Sequence, residues 1–179
     1  MEETIDVLLV EDTSTQAIIM QQRLVAGGYT VKIKKSAEEA LSFLSENKAS
    51  YVLTDINLPE MDGYELAKKI KSEPNGSEIV VVLLVTLKDV EDLVDILNSE
   101  ADSLMLKELR REYFLSAFQN IAAASLKDEF DDAMLNFTAQ QRNVSKNVRC
   151  KSRSTVNMLS SCVHALVHHQ RQLAESAAK

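Results

Sequence analysis

Glycine and proline are scarce in this chain of 179 residues and unevenly placed. Gly27, Gly28, Pro59, Gly63, Pro74 and Gly76 complete the inventory, so nothing from Ser77 onward carries either. These two residues are the commonest helix stops, and the C-terminal third is therefore predicted to be continuous helix, or helices joined by polar turns. Cysteine is nearly absent as well. Cys150 and Cys162 share one C-terminal segment at no familiar metal or redox spacing, which reads as reduced thiols and not as a disulfide framework. The longest apolar run, Ile79 to Val85, falls far short of the roughly 20 residues that cross a bilayer. The start, Met-Glu-Glu-Thr, lacks the basic and apolar regions of a signal peptide, and a cytoplasmic location is the expectation. No internal repeat or low-complexity tract is evident.

What the chain does have is a 45% apolar content, enough to bury a core. Its charge is split. Residues 1–125 hold 12 Lys or Arg against 22 Asp or Glu, and residues 126–179 hold 8 against 5, so a net −10 and +3 make up the −7 of the whole. An acidic N-terminal domain repels nucleic acid, and the change of sign marks a boundary near residue 125.

Within residues 1–125, apolar strand-like runs alternate with amphipathic helical stretches, the pattern of parallel strands joined by helical crossovers. Val7 to Val10 reads as the first strand. Thr13-Ser14 cap a helix whose Ile18, Ile19 and Leu24 face inward, and Gly27-Gly28 close it. Thr30 to Lys34 is a second strand, followed by a Ser36 cap and a helix face of Ala40, Leu41 and Leu44. Tyr51 to Thr54 forms a third strand, Tyr64 to Lys71 its helix, and Pro74 to Gly76 a turn. Ile79 to Val85 is a buried fourth strand, Asp89 to Asn98 a helix, Ser103 to Leu106 a fifth strand, and Arg110 onward the last helix.

The strand ends carry the chemistry. Glu11 and Asp12 follow the first strand, Asp55 ends the third, Thr86 follows the fourth and Lys107 the fifth. Open α/β sheets bind ligands at that edge. Three neighbouring carboxylates repel one another unless a cation lies between them, and Mg²⁺ suits oxygen ligands and bridges to phosphate. A carboxylate beside Mg²⁺ can attack a phosphoryl group to give an aspartyl phosphate. Lys107 would supply a second positive charge and the Thr86 hydroxyl a hydrogen bond to the product.

The acidic pair, the run Asp55-Ile56-Asn57-Leu58-Pro59-Glu60-Met61-Asp62-Gly63, the threonine and the lysine occur together in an order that resembles the receiver domain of two-component response regulators, of the chemotaxis-regulator type. The resemblance covers about residues 1–125 and implies a doubly wound, flavodoxin-like (βα)5 fold with a five-stranded parallel sheet. It also implies that Asp55 is the phosphoacceptor, that Glu11, Asp12 and Asp55 hold Mg²⁺ together with the backbone carbonyl of Asn57, and that Thr86 and Lys107 sense the phosphate. The donor would be a sensor histidine kinase. Such a chain is a phosphoacceptor and not an enzyme, beyond slow self-phosphorylation from small donors and autodephosphorylation. Three positions depart from the pattern. Glu108 replaces a proline usually preceded by a cis bond, which predicts a trans bond and a displaced Lys107. Leu104 stands where an aromatic switch residue is expected, and Leu87 where a small residue is usual.

Residues 126–179 read as a helical extension, a hairpin or coiled-coil-like element. Phe130, Met134, Phe137, Val144 and Val148 follow heptad steps, and Val156, Leu159, Val163, Leu166 and Leu173 do so again. Such stripes require a partner surface, which points to a homodimer or a docked protein. No acidic residue lies between Ala133 and Ala174, where six Lys or Arg are present, but no familiar DNA-binding pattern accompanies them and DNA is not the expected partner. His164, His168 and His169 read as surface histidines. The competing expectation is a scaffold that keeps the pocket and binds its partner regardless of Asp55.

Overall fold

The computed structural model describes residues 4–86, 96, 98–107, 109 and 113–123. The extension 126–179, with its histidines, cysteines and heptad stripes, lies outside them. So do Leu87, Glu108 and most of the expected Asp89 to Asn98 helix, although residues 96 and 98 are helical.

Five parallel strands, β1 (Thr4–Val10), β2 (Val31–Lys34), β3 (Lys48–Asp55), β4 (Val80–Val85) and β5 (Ser103–Leu106), form one sheet in the order β2-β1-β3-β4-β5. The helices α1 (Ser14–Ala26), α2 (Ala37–Glu46) and α3 (Gly63–Ser72) cross between them, and residues 113–123 are helical. Flanking helices cover both faces, so Leu8, Leu9, Leu53, Val82, Leu83 and Leu84 are wholly buried. Strands running into the core as near-continuous apolar stretches are the reason for the strong strand pattern in the sequence.

Local signals set most boundaries. The C-terminus of α1 is a Schellman turn: Tyr29 N–H reaches the Leu24 carbonyl at 3.2 Å, Gly28 N–H that of Val25 at 2.9 Å, and Gly28 adopts a φ of +90°. Ser36 caps α2 by accepting from Glu39 N–H at 3.2 Å, and the Glu39 carboxylate accepts in turn from Lys35 N–H at 3.1 Å. Asp62 caps α3, its Oδ1 accepting from Glu65 N–H at 2.8 Å. At the opposite edge, the Lys71 ammonium pairs with Asp102 and donates to the Ile79 carbonyl, while Asp102 Oδ2 accepts from Val81 N–H at 2.7 Å. That bolt joins the end of α3 to the start of β4 and to the residue before β5.

Helix α1 departs from expectation. Its buried residues are Ala17, Met20 and Leu24, whereas Ile18 is 50% and Ile19 44% exposed. The run Ala17-Ile18-Ile19-Met20 is apolar throughout, so periodicity cannot choose its inward face; packing against the sheet does. Thr13 sits at the N-cap without a side-chain cap, and its hydroxyl donates to Asp12 Oδ1 at 3.1 Å. In α2, Phe43 is buried with Ala40, while Leu41 and Leu44 are only partly covered.

Gly63 ties the fold to the site. A Cβ there would collide with the Asp55 carbonyl and lie 2.9 Å from Ile56 Cα, because α3 begins directly against the end of β3. Gly63→Ala should therefore lower unfolding free energy by about 1–3 kcal/mol, as overpacking against backbone does. Urea denaturation checks this, and an unchanged midpoint would contradict the close approach.

Candidate functional site

Strand order reverses between β1 and β3, where crossovers leave toward opposite faces and a crevice opens at the carboxyl ends. Val10 pairs with Thr54 across this boundary, so Glu11 and Asp55, each one residue further on, stand side by side. Oxygens of Glu11, Asp12 and Asp55 lie within 4.8 Å of one another. Glu11 is fully buried, Asp55 is 4% exposed and Asp12 is open to solvent.

Lys107 reaches this cluster from the end of β5, where its N–H continues the ladder to the Val85 carbonyl at 2.9 Å. Its ammonium lies 2.6 Å from Asp55 Oδ2 and 3.0 Å from Glu11 Oε2. The displacement expected from Glu108 is not observed. The anchor at Val85 fixes where the lysine stem starts, and two buried carboxylates fix where it ends. Burial alone would lower the Lys107 pKa, but hydrogen bonds and charge from Asp55 and Glu11 outweigh it and the net shift is upward. Glu11 is shifted upward by burial, with Asp55 adding to the effect and Lys107 and the Thr13 N–H only partly offsetting it.

The loop after β3 folds back over Asp55. Asn57 N–H donates to Asp55 Oδ1 at 3.2 Å, and Gly63 N–H to the Ile56 carbonyl at 2.9 Å. Between them Glu60 takes a left-handed φ of 64° after Pro59, a turn that a residue with a Cβ adopts at a cost of about 1 kcal/mol. Thr86 sits at the end of β4, half-buried, and borders with Lys107 a groove of about 370 Å³ shared with Gln16, Ile19, Met20 and Arg23 of α1.

The donor set fits a hard cation. Every offered atom is a carboxylate oxygen, and among the described residues Lys107 is the sole ammonium paired with the three carboxylates, leaving Asp12 without a cationic partner. The structure brings the expected Glu11, Asp12, Asp55 and Lys107 together, and Arg23 is not among the residues expected from the sequence. That guanidinium donates to the Leu109 carbonyl at 3.1 Å and lies 5.1 Å from the Phe114 ring centroid, fastening α1 to the chain beyond β5. No local pattern marks an arginine as bound to a carbonyl 86 positions away.

The Glu11 shift has a thermodynamic consequence. A carboxyl whose folded pKa is raised binds more protons folded than unfolded, so stability falls as pH rises from about 4.5 through the folded value. Without divalent cations, Glu11→Gln should thus resist urea better than wild type at pH 7, with the advantage vanishing below pH 4.5. The same variant removes one of the three carboxylates that could hold a divalent cation, and should weaken Mg²⁺ binding by about tenfold or more. Equal urea midpoints at pH 7 would refute the burial cost.

Residues 7–119 match the family model described as response regulator receiver domain. A probable transcriptional regulator, ycf27, of Cyanidium caldarium is 28% identical over 151 residues, covering 78% of this chain and 59% of the relative. The gliding motility regulatory protein of Myxococcus xanthus is 32% identical over 116 residues, 64% of this chain and 15% of that one. The chain thus spans less than two thirds of these relatives. Among solved structures, the signal receiver domain of a histidine kinase from Syntrophus aciditrophicus superposes with a TM-score of 0.62 at 32% identity, over 67% of this chain and 91% of that one. A receiver domain of a Pseudomonas aeruginosa sensor histidine kinase, solved with magnesium coordinated in its active-site cleft, shares the fold at a TM-score of 0.60 and 22% identity, over 67% and 99% of the two chains. Sheet order, crevice and matched sequence agree, and the chain belongs to the response regulator receiver family.

Proposed function

We propose that Asp55 accepts a phosphoryl group from a phosphohistidine of a sensor kinase and that the chain signals by protein–protein contacts. The observation that carries this reading is a nearly buried Asp55 flanked by Lys107 at 2.6 Å and by two further carboxylates within 4.8 Å. An Asp55 oxygen attacks phosphorus, the phosphorus–nitrogen bond breaks, and the imidazole keeps the electron pair. Mg²⁺, held by Glu11, Asp12, Asp55 and the Asn57 carbonyl, would supply neutralisation of charge on the phosphoryl oxygens. Lys107 counters the charge that remains on the Asp55 side, and its raised pKa keeps it an ammonium at any physiological pH. Asn57 N–H orients the carboxylate through Oδ1. In this reading the Thr86 hydroxyl donates a hydrogen bond to the product. The chain is a phosphoacceptor, with turnover limited to slow reaction with small donors and slow autodephosphorylation.

Leu104 favours a second reading. It is 2% exposed within β5, and an aliphatic side chain packed there has no ring to alternate between inward and outward positions. A pseudo-receiver scaffold, binding its partner through residues 126–179 irrespective of Asp55, would need no such switch. The retention of Glu11, Asp12, Asp55, Thr86 and Lys107 supports the phosphoacceptor over the scaffold, which has no chemical use for the set.

Intact mass after incubation with acetyl phosphate and Mg²⁺, with light scattering on the same samples, separates the two. Wild type is expected to gain one phosphoryl group and to change its association state, and Asp55→Asn to do neither. Failure of wild type to be modified by acetyl phosphate and by a phosphorylated kinase domain would leave the scaffold.

A further inference from the structure

Every exposed large hydrophobic among the described residues lies on α1: Ile18 at 50%, Ile19 at 44% and Val25 at 54%. Ile18 and Val25 are one heptad apart and share a face of the helix, and Ile19 lies about 100° round from Ile18. Single exposed apolar residues are ordinary, but three on one helix of an otherwise charged surface form a patch that calls for a cover.

The structure shows where a cover would come from. The helical residues 113–123 lie in the layer of α1. Arg23 of α1 bonds the Leu109 carbonyl and lies over the Phe114 ring, and Gly27, at the end of α1, approaches the Leu115 side chain. Further along, Phe118 packs edge-on against Tyr29 and Tyr51, with centroids at 4.9 and 5.2 Å. Residues 114–118 therefore run along the C-terminal part of α1 and past its end.

We propose that residues 156–173 of the same molecule cover the α1 patch. Val156, Leu159, Val163, Leu166 and Leu173 recur at heptad steps, the spacing that also separates Ile18 from Val25. The earlier stripe is the poorer occupant. Asp128, Glu129, Asp131 and Asp132 crowd its start and repel a domain of net charge −10, whereas residues 156–173 fall in the acid-free run from Ala133 to Ala174. Reach is not limiting, because the intervening residues 124–155 span roughly 50 Å even as continuous helix, against a radius of gyration of about 14 Å for the domain. Tethering makes the docking intramolecular and favours it over a second chain at low concentration.

The cysteine distribution supplies the test. Residues 1–125 contain no cysteine, so Ile18→Cys in the full chain adds a single thiol to Cys150 and Cys162. A short bismaleimide is applied to a dilute equimolar mixture of ¹⁵N-labelled and unlabelled chain, and linked peptides are identified by mass. The expected result is a link from position 18 to Cys162 within one isotope class, several-fold above that from Ser42→Cys on the exposed face of α2. Adding Val25→Glu should cut the link by about tenfold or more, because the cover would then bury a charge. Mixed-isotope links making up about half of the total, the statistical share when two chains pair, would assign the patch to a second copy. A yield no higher than from Ser42→Cys, or one indifferent to Val25→Glu, would leave the patch uncovered by the tail; each of these results overturns the proposal. None of them depends on phosphorylation, so this inference and the reading of Asp55 stand or fall separately.

Discussion

Two carboxylates withheld from water at the end of a parallel sheet are the constraint around which this molecule is organised. Glu11 has no solvent exposure and Asp55 almost none, and removing such charges from water costs several kcal/mol each unless something replaces the lost hydration. Lys107 does so in part. One ammonium shared between Glu11 and Asp55, with Asp12 alongside, still leaves negative charge in excess, and burial first, then the Asp55 charge, shift Glu11 upward. A site left short of one or two positive charges is poised for a hard cation and the phosphoryl oxygens it accompanies.

The rest of the fold holds that imbalance in place. Reversal of strand order between β1 and β3 sets Glu11 beside Asp55, and the β4–β5 ladder delivers Lys107 from the far side. The Asp55-to-Gly63 loop closes over the crevice, with Glu60 in a left-handed conformation and α3 started by the Asp62 cap. Gly63 is the seam where that loop meets the backbone of Asp55 and Ile56. Arg23 ties α1 to Leu109, and the Lys71–Asp102 pair ties α3 to the residue before β5.

Much of this was legible in the residues. Strands announced themselves because they are buried on both faces, and β5 falls at the expected Ser103 to Leu106. The candidate site was legible because carboxylates, a threonine and a lysine each follow an apolar run, where a charged or polar group has few other uses. The failures share one cause. Ile18 and Ile19 were assigned inward and Lys107 was expected to move, and both questions turn on what lies across space from the residue. An apolar four-residue run has no periodicity to break the tie, and the neighbour in sequence, Glu108, says less about Lys107 than the two buried carboxylates at its tip.

The sequence by itself determined the fold class, the strand ends that carry chemistry and the acidic character of the site, because burial on both faces and charge at strand ends are local patterns. Only the tertiary structure decided that Lys107 lands between Glu11 and Asp55, that α1 turns Ala17, Met20 and Leu24 inward, and that Arg23 reaches Leu109. Each of those outcomes depends on distances between segments far apart in the chain, and such distances are set when helices pack against the sheet.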